Sequence, residues 1–157
     1  MNLFVTHTDP LIAARDLDDK RVIKIALEAT QILSAVLDER GVTGFYRVTH
    51  RRHPVTLWAG RRASHARWTL RYGLALCDVY TSWTGRTHAC QPVLRAMRRH
   101  FRSPLEPLEF QNSARGHGFD FSHLPITNAY RAYLLARWPT DKREPIWTGR
   151  PVPGWAL

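Results

Sequence analysis

Two amines and a carboxylate stand four residues apart near the start of the chain, as Lys20, Lys24 and Glu28, with Gln31 following. On an α-helix these positions form one stripe, because residues three or four apart lie above one another. Asp16 marks its N-terminal edge. Left in water, such a stripe is an ordinary charged face whose i,i+4 pairs contribute about 0.2–0.5 kcal/mol each. Desolvated, it is a site: a lysine amine can form a Schiff base with a sugar aldehyde while the neighbouring carboxylate moves protons. Lys20, Lys24 and Glu28 are therefore the candidate catalytic residues.

A second constellation is cationic. His50-Arg51-Arg52-His53-Pro54 sets two imidazoles and two guanidiniums before a helix start, where backbone amides favour a phosphate. Arg61, Arg62, Arg67 and Arg71 continue the charge, and Arg86 and His88 follow a glycine further on. With Arg21, the set Arg21, His50, Arg51, Arg52, His53, Arg61, Arg62, Arg86 and His88 comprises the candidate nucleic-acid contacts. A metal at His50 and His53 would need a third ligand such as His88 or Cys90, and the spacing matches no zinc pattern. No metal or organic cofactor is expected.

Composition points the same way. The 157 residues carry 23 Lys and Arg against 13 Asp and Glu, a formal net charge of +10. Only Lys20, Lys24 and Lys142 are lysines, so nearly all the excess is guanidinium, which grips phosphates and guanine edges in bidentate fashion. DNA is the expected partner. A membrane is not, since no apolar run approaches the roughly 18 residues of a spanning helix. The first residues lack the charged region of a secretory signal, and two cysteines without a CxxC pair suit free thiols in a reducing cytoplasm.

The elements that must position these residues read as one domain over 1–157, mainly α: a compact bundle of about four helices. A short extended segment (2–7) opens it, ended by Asp9-Pro10, and an irregular, aromatic C-terminal tail closes it. Apolar residues from Val22 to Leu37 recur on one helical face between Asp18 and Asp38, with Asp16 and Asp18 as N-cap candidates and Gly41 as the stop. A β-like stretch (44–49) precedes a short helix from Pro54 to about Gly60. Ser64 is expected to cap a long central helix that runs to Thr84 before Gly85. Another helix is expected from Pro92, with Arg95, Arg98, Arg99 and Arg102 on its outer face. A Pro- and Gly-rich excursion (103–125) follows, then a last helix capped by Thr127 and ended by Pro139. The tail, with Trp147 and Trp155, is expected to lie back on the body.

The string Asp18-Asp19-Lys20-Arg21-Val22, with Lys24, Leu27-Glu28 and Gln31, resembles a family of small proteins encoded by phages and their bacterial hosts. So do Thr49-His50, His53-Pro54, Trp58, Trp68, Asp78, Tyr80, Gly85-Arg86-Thr87-His88, Tyr130-Arg131 and the stretch from Trp147 to Trp155. That resemblance spans most of the chain and carries no assigned activity. More distantly, the layout resembles the pyrimidine-dimer DNA glycosylases of the endonuclease V type, which are small, basic and mostly helical. There the N-terminal α-amine attacks C1′ of the damaged nucleotide and a glutamate on the first long helix assists. The resemblance implies Glu28 as that glutamate and Arg21 and Lys24 as phosphate contacts. Two departures stand out: Asn2 is a large second residue, so Met1 is expected to stay, and no arginines flank Glu28. Lys20 or Lys24 would then supply the amine.

The expected function is a DNA glycosylase with abasic-site lyase activity on damaged or modified pyrimidines. Two alternatives remain open: a non-enzymatic phage DNA-binding, accessory or host-inhibitory module, and a donor-dependent base-modification enzyme. The latter lacks a glycine-rich loop for its donor. An enzyme should bury Lys24 and Glu28 in a concave pocket, whereas a binding module should leave them on a solvated face.

Overall fold

A computed structural model describes every residue except Leu105. Among the described residues it holds six α-helices: α1 (Pro10–Asp16), α2 (Asp19–Asp38), α3 (Pro54–Arg61), α4 (Ala63–Thr84), α5 (Cys90–Met97) and α6 (Ile126–Arg137). The mainly helical expectation holds, with more helices than the four expected. None of them is long and apolar enough to cross a membrane.

The additional helix near the N-terminus, α1, is short enough to hide in the sequence. Asp9 caps it by accepting from the Leu11 amide at 2.8 Å, and Pro10 takes the first helical position, where its missing N–H costs nothing. Asp9-Pro10 thus ends the extended segment and starts a helix. Asp16 falls in the last turn of α1, and Asp18 alone caps α2, accepting from the Arg21 amide at 3.2 Å. Helix α2 ends at Asp38, shortly before Gly41 at φ 75°.

Helix α4 is the centre of the bundle, packed by α1, α2, α3 and α5. Arg62 occupies its N-cap position without a side-chain bond, and Ser64, expected as the cap, lies buried inside the first turn. Gly85 closes it at φ 67°, its N–H donating to the Thr81 carbonyl at 2.9 Å. Helix α5 starts two residues before Pro92, because a proline in the first turn removes no intrahelical bond and His88 Nδ1 accepts from the Cys90 amide at 3.1 Å. Helix α6 follows Pro125 rather than a Thr127 cap, and Pro139 sits inside a 3₁₀ turn that extends it.

The two β-like stretches form no strands. Residues 2–7 run extended with Leu3, Phe4, Val5 and Thr6 buried, but no neighbouring strand offers a ladder. Phe4 is left-handed at φ 42°, and the Thr6 amide turns back to its carbonyl at 2.8 Å. Residues 44–49 are irregular, with the Tyr46 amide donating to Ser34 Oγ at 3.2 Å. Sheet structure lies instead inside the irregular excursion, which includes Leu105 outside the described residues: β1 (Arg115–Gly116) pairs antiparallel with β2 (Phe119–Asp120). Its two-residue turn, His117-Gly118, has φ 54° and 85°, the pattern of the tight hairpin turn that suits right-twisted strands.

Candidate active site

The extended N-terminal segment lies against the middle of α2, and this brings Asn2 to Glu28. The backbone N–H of Asn2 donates to Glu28 Oε2 at 2.6 Å, while Lys24 Nζ lies 3.5 Å from Oε1. The carboxylate is buried, at 9% exposure, whereas the Lys24 side chain is 68% exposed. The stripe read from the sequence is therefore split: its carboxylate is inside and its lysine outside. Both line a cleft of about 170 Å³ together with Met1, Asn2, Phe4, Tyr133, Arg115 and His117. The last two come from the hairpin and are exposed at the cleft.

Asn2 is held on three sides. Its Nδ2 donates to the Ser113 carbonyl at 3.1 Å, and its Oδ1 accepts from the Leu3 amide at 2.8 Å and from the Phe4 amide at 3.4 Å, the latter an Asx turn that fixes the direction of the chain. Ser113 is itself fixed, its amide donating to the buried Tyr130 hydroxyl at 3.2 Å. The Phe4 ring packs against Tyr130 and Tyr133, with both centroids at 6.0 Å. Arg131 Nε donates to the Thr6 carbonyl at 3.0 Å and Trp68 Nε1 to that of Thr8 at 2.7 Å. These contacts pay the ordering entropy of a chain end that would otherwise fray.

Besides His117, which lines the cleft, His53 at the start of α3 lies within electrostatic reach of Glu28. Its Nδ1 accepts from the Val55 amide at 3.3 Å, capping α3. Burial lowers its pKa, and the N-terminal ammonium and His50 push the same way, while Glu28 pulls against them. Met1 Sδ accepts from the Thr56 hydroxyl at 3.5 Å, on the same helix.

The other sequence-derived residues are dispersed. Arg21 is buried, with its guanidinium 2.8 Å from Asp18 and 2.9 Å from Asp141. Trp138 Nε1 donates to the same Asp18 carboxylate at 2.8 Å. Desolvation works against charge on Asp141, but Arg21 and Lys20 outweigh it and hold its pKa below the ordinary value. Lys20 Nζ is 3.3 Å from Asp141 and shares with Lys24 a neighbouring groove of about 660 Å³. Arg51 pairs with Asp38 and Glu39, and lines a groove between α2 and α3 with Arg52 and Arg61. His50 is exposed at φ 53°, and Arg62 and Arg86 are exposed at the two ends of α4. His88 is buried beside Tyr80, and burial lowers its pKa.

Four contributors to the cleft escaped the sequence: the Asn2 backbone nitrogen, Arg115, His117 and Tyr133. Only Gly116-His117-Gly118 carried a signal, that of a turn, with nothing to say where the turn would sit.

The site is thus a buried helix carboxylate that faces the N-terminal segment on a small cationic helical body. A family model for pyrimidine dimer DNA glycosylases matches residues 1–90, which hold Asn2, Glu28 and helices α1 to α4, and the chain belongs to that family. At the level of the family its function is of the DNA glycosylase type. No curated protein and no solved structure matches it.

Proposed function

We propose that the protein removes a damaged or modified pyrimidine from DNA with an amine held against Glu28, and then opens the abasic sugar by β-elimination. The observation that carries this is the 2.6 Å contact between the Asn2 nitrogen and the buried Glu28 carboxylate. As an amide this nitrogen is not a nucleophile. Although the size of Asn2 favours retention of Met1, the reaction requires its removal, which turns the nitrogen into a primary amine seated beside a proton acceptor, and α-amines lose their proton nearer neutrality than lysines do. Lys24 is the second candidate, on the other Glu28 oxygen, but it lacks the burial by which enzymes activate a lysine.

The chemistry needs no donor. The amine adds to C1′ as the glycosidic bond breaks, and the base leaves with the bonding pair and takes up a proton. Glu28 accepts the proton that the amine sheds. Opening of the sugar ring gives an imine, and loss of a C2′ proton expels the 3′ phosphate as the C3′–O bond breaks. Water then hydrolyses the imine and returns the amine. Arg115 and His117 stand across the cleft, where they can hold the flanking phosphates. In this reading the target nucleotide is turned out of the helix so that its C1′ reaches the cleft. Of the two side chains that an enzyme was expected to bury, Glu28 is buried and Lys24 is 68% exposed, so the enzymatic reading rests on Glu28 and the Asn2 nitrogen rather than on the lysine.

The test is incision of a duplex that carries one pyrimidine dimer, in single turnover with enzyme in excess. Wild-type protein is expected to cut at the dimer. Glu28→Gln is expected to lose at least about a hundredfold in rate, the scale of a general acid–base group, while still binding the duplex. Incision at the wild-type rate by Glu28→Gln, or no incision by the wild type, would overturn the proposal.

A further inference from the structure

We propose that a second groove, built by α4 and the turn after α5, binds the phosphate backbone of undamaged DNA and supplies the protein's sequence-independent association with it. This rests on DNA being the substrate, but not on the chemistry at Glu28. Along α4, Arg67, Leu70, Arg71 and Leu74 follow one another at spacings of three, one and three, so they share a face. A different face of the helix is spent on packing, where the position of Gly73 abuts Ala29 of α2 and Leu94 of α5. After α5 the chain makes one 3₁₀ turn, Arg98–His100, and arrives at the buried Phe101. That path carries Arg98, Arg99 and Arg102 to the side of the groove opposite α4.

The result is a concavity of about 470 Å³ with five guanidiniums on its walls and Leu70, Leu74 and Phe101 as its apolar floor. Arg98, Arg99 and Arg102 are exposed, and Arg67 and Arg71 half-buried. Among the described residues none of the five makes an ion pair and no carboxylate lines the groove, in contrast to Arg21, Arg51 and Arg150, each of which has one. Five converging cations without counter-charge repel one another, and a polyanion relieves that repulsion. The fork geometry of each matches phosphate oxygens.

A nucleic-acid backbone presents phosphates in series and so matches five guanidiniums spread over two elements. The floor offers no hydrogen-bonding group with which to read a base edge, so contacts here carry register and affinity without sequence preference. The groove shares no lining residue with the Glu28 cleft, so its contribution can be measured apart from catalysis.

The experiment is the binding of an undamaged 20-base-pair duplex between 50 and 200 mM salt, for the wild type, for Arg98→Ala/Arg99→Ala/Arg102→Ala, and for Arg67→Gln/Arg71→Gln. Thermal melts confirm that each variant is folded. Each lost phosphate contact lowers the slope of log affinity against log salt by about 0.9, so the triple variant is expected to lose about 2.7. Its affinity at 50 mM should fall at least tenfold, with the double variant changing in the same direction. Unchanged slopes in both folded variants, or wild-type protein that prefers single-stranded RNA to the duplex, would overturn the proposal. Glu28→Gln, measured alongside, should keep the wild-type slope, so failure of the groove and failure of the catalytic reading give different results.

Discussion

At the scale of the residue, the site turns on which polar groups are buried and what they meet. Glu28 and Lys24 were legible as neighbours because four residues on a helix guarantee it. That one is inside and the other outside was not, since this depends on a segment 26 residues away that covers Glu28 alone. Arg21 teaches the same lesson in reverse. Its type and position suggest a phosphate contact, yet it lies between the carboxylates of Asp18 and Asp141, whose side chains are 2% and 3% exposed. Removing the cation leaves Asp18 with only the Trp138 indole and Asp141 with the weaker pairs to Lys20 and Arg137, at a cost of up to about 3–5 kcal/mol. Arg21→Ala is therefore expected to lower unfolding stability by that order in a urea titration. Loss of DNA affinity at unchanged stability would show that Arg21 serves as a phosphate contact after all.

At the scale of the element, the long helices were readable, and so was the short α3, which its proline announces, whereas α1 was not. Helices α2 and α4 carry enough turns for the apolar period to repeat, whereas α1, with seven residues, has scarcely two turns, and in the sequence its opening Asp9-Pro10 marks only the end of an extended segment. The hairpin at 115–120 was hidden because each strand is two residues long. Close helix packing is equally silent in the sequence. Gly73 looks like a weak point in α4, since glycine costs a helix interior about 1 kcal/mol relative to alanine. The structure shows why it is there: a Cβ at this position would lie 3.0 Å from Leu94 Cδ1 and 3.2 Å from the Ala29 methyl. Both neighbours are fully buried and have nowhere to go. Overpacking of about 1–3 kcal/mol outweighs the gain in propensity, so Gly73→Ala is expected to lower the melting temperature. A rise would mean that α4 and α5 can move apart.

At the scale of the whole molecule, the aromatic tail behaves as its composition suggested and straps the N-terminal helices. Trp147 Nε1 donates to the Asp16 carbonyl at 3.0 Å, Trp155 Nε1 to the Asp16 carboxylate at 3.1 Å, and the Trp155 ring stacks on Trp138 at 5.7 Å. Arg150 ties the same region through Asp19, at 2.7 Å. The tail's aromatic content announced burial, but not its target, because tertiary partners more than 120 residues apart leave no local pattern.

The same body should respond to pH in a definite sense. Burial lowers the pKa of His53 and His88 from the ordinary 6.5, so as pH falls through 6.5 the unfolded chain takes up protons that the folded chain resists. Stability is thus full above that range and declines below it. Asp141, held below its ordinary 3.8, adds a further loss at more acid pH. The melting temperature should be lower at pH 5 than at pH 7.5, with a smaller drop in His88→Asn, which keeps a cap for the Cys90 amide. An unchanged or higher melting temperature at pH 5 would contradict the assignment of these histidines as groups that resist protonation in the fold.

The central claim is that the nitrogen of residue 2, against Glu28, forms the bond to the sugar. The most direct measurement is borohydride reduction of the protein on a duplex bearing an abasic site, followed by mass spectrometry of the mature N-terminus and of the adduct peptide, with Lys20→Ala and Lys24→Ala alongside. The account predicts a chain that begins at Asn2, an adduct on its α-amine, and trapping that survives both lysine substitutions. An adduct on Lys20 or Lys24, or no adduct from protein that has lost Met1, would contradict it.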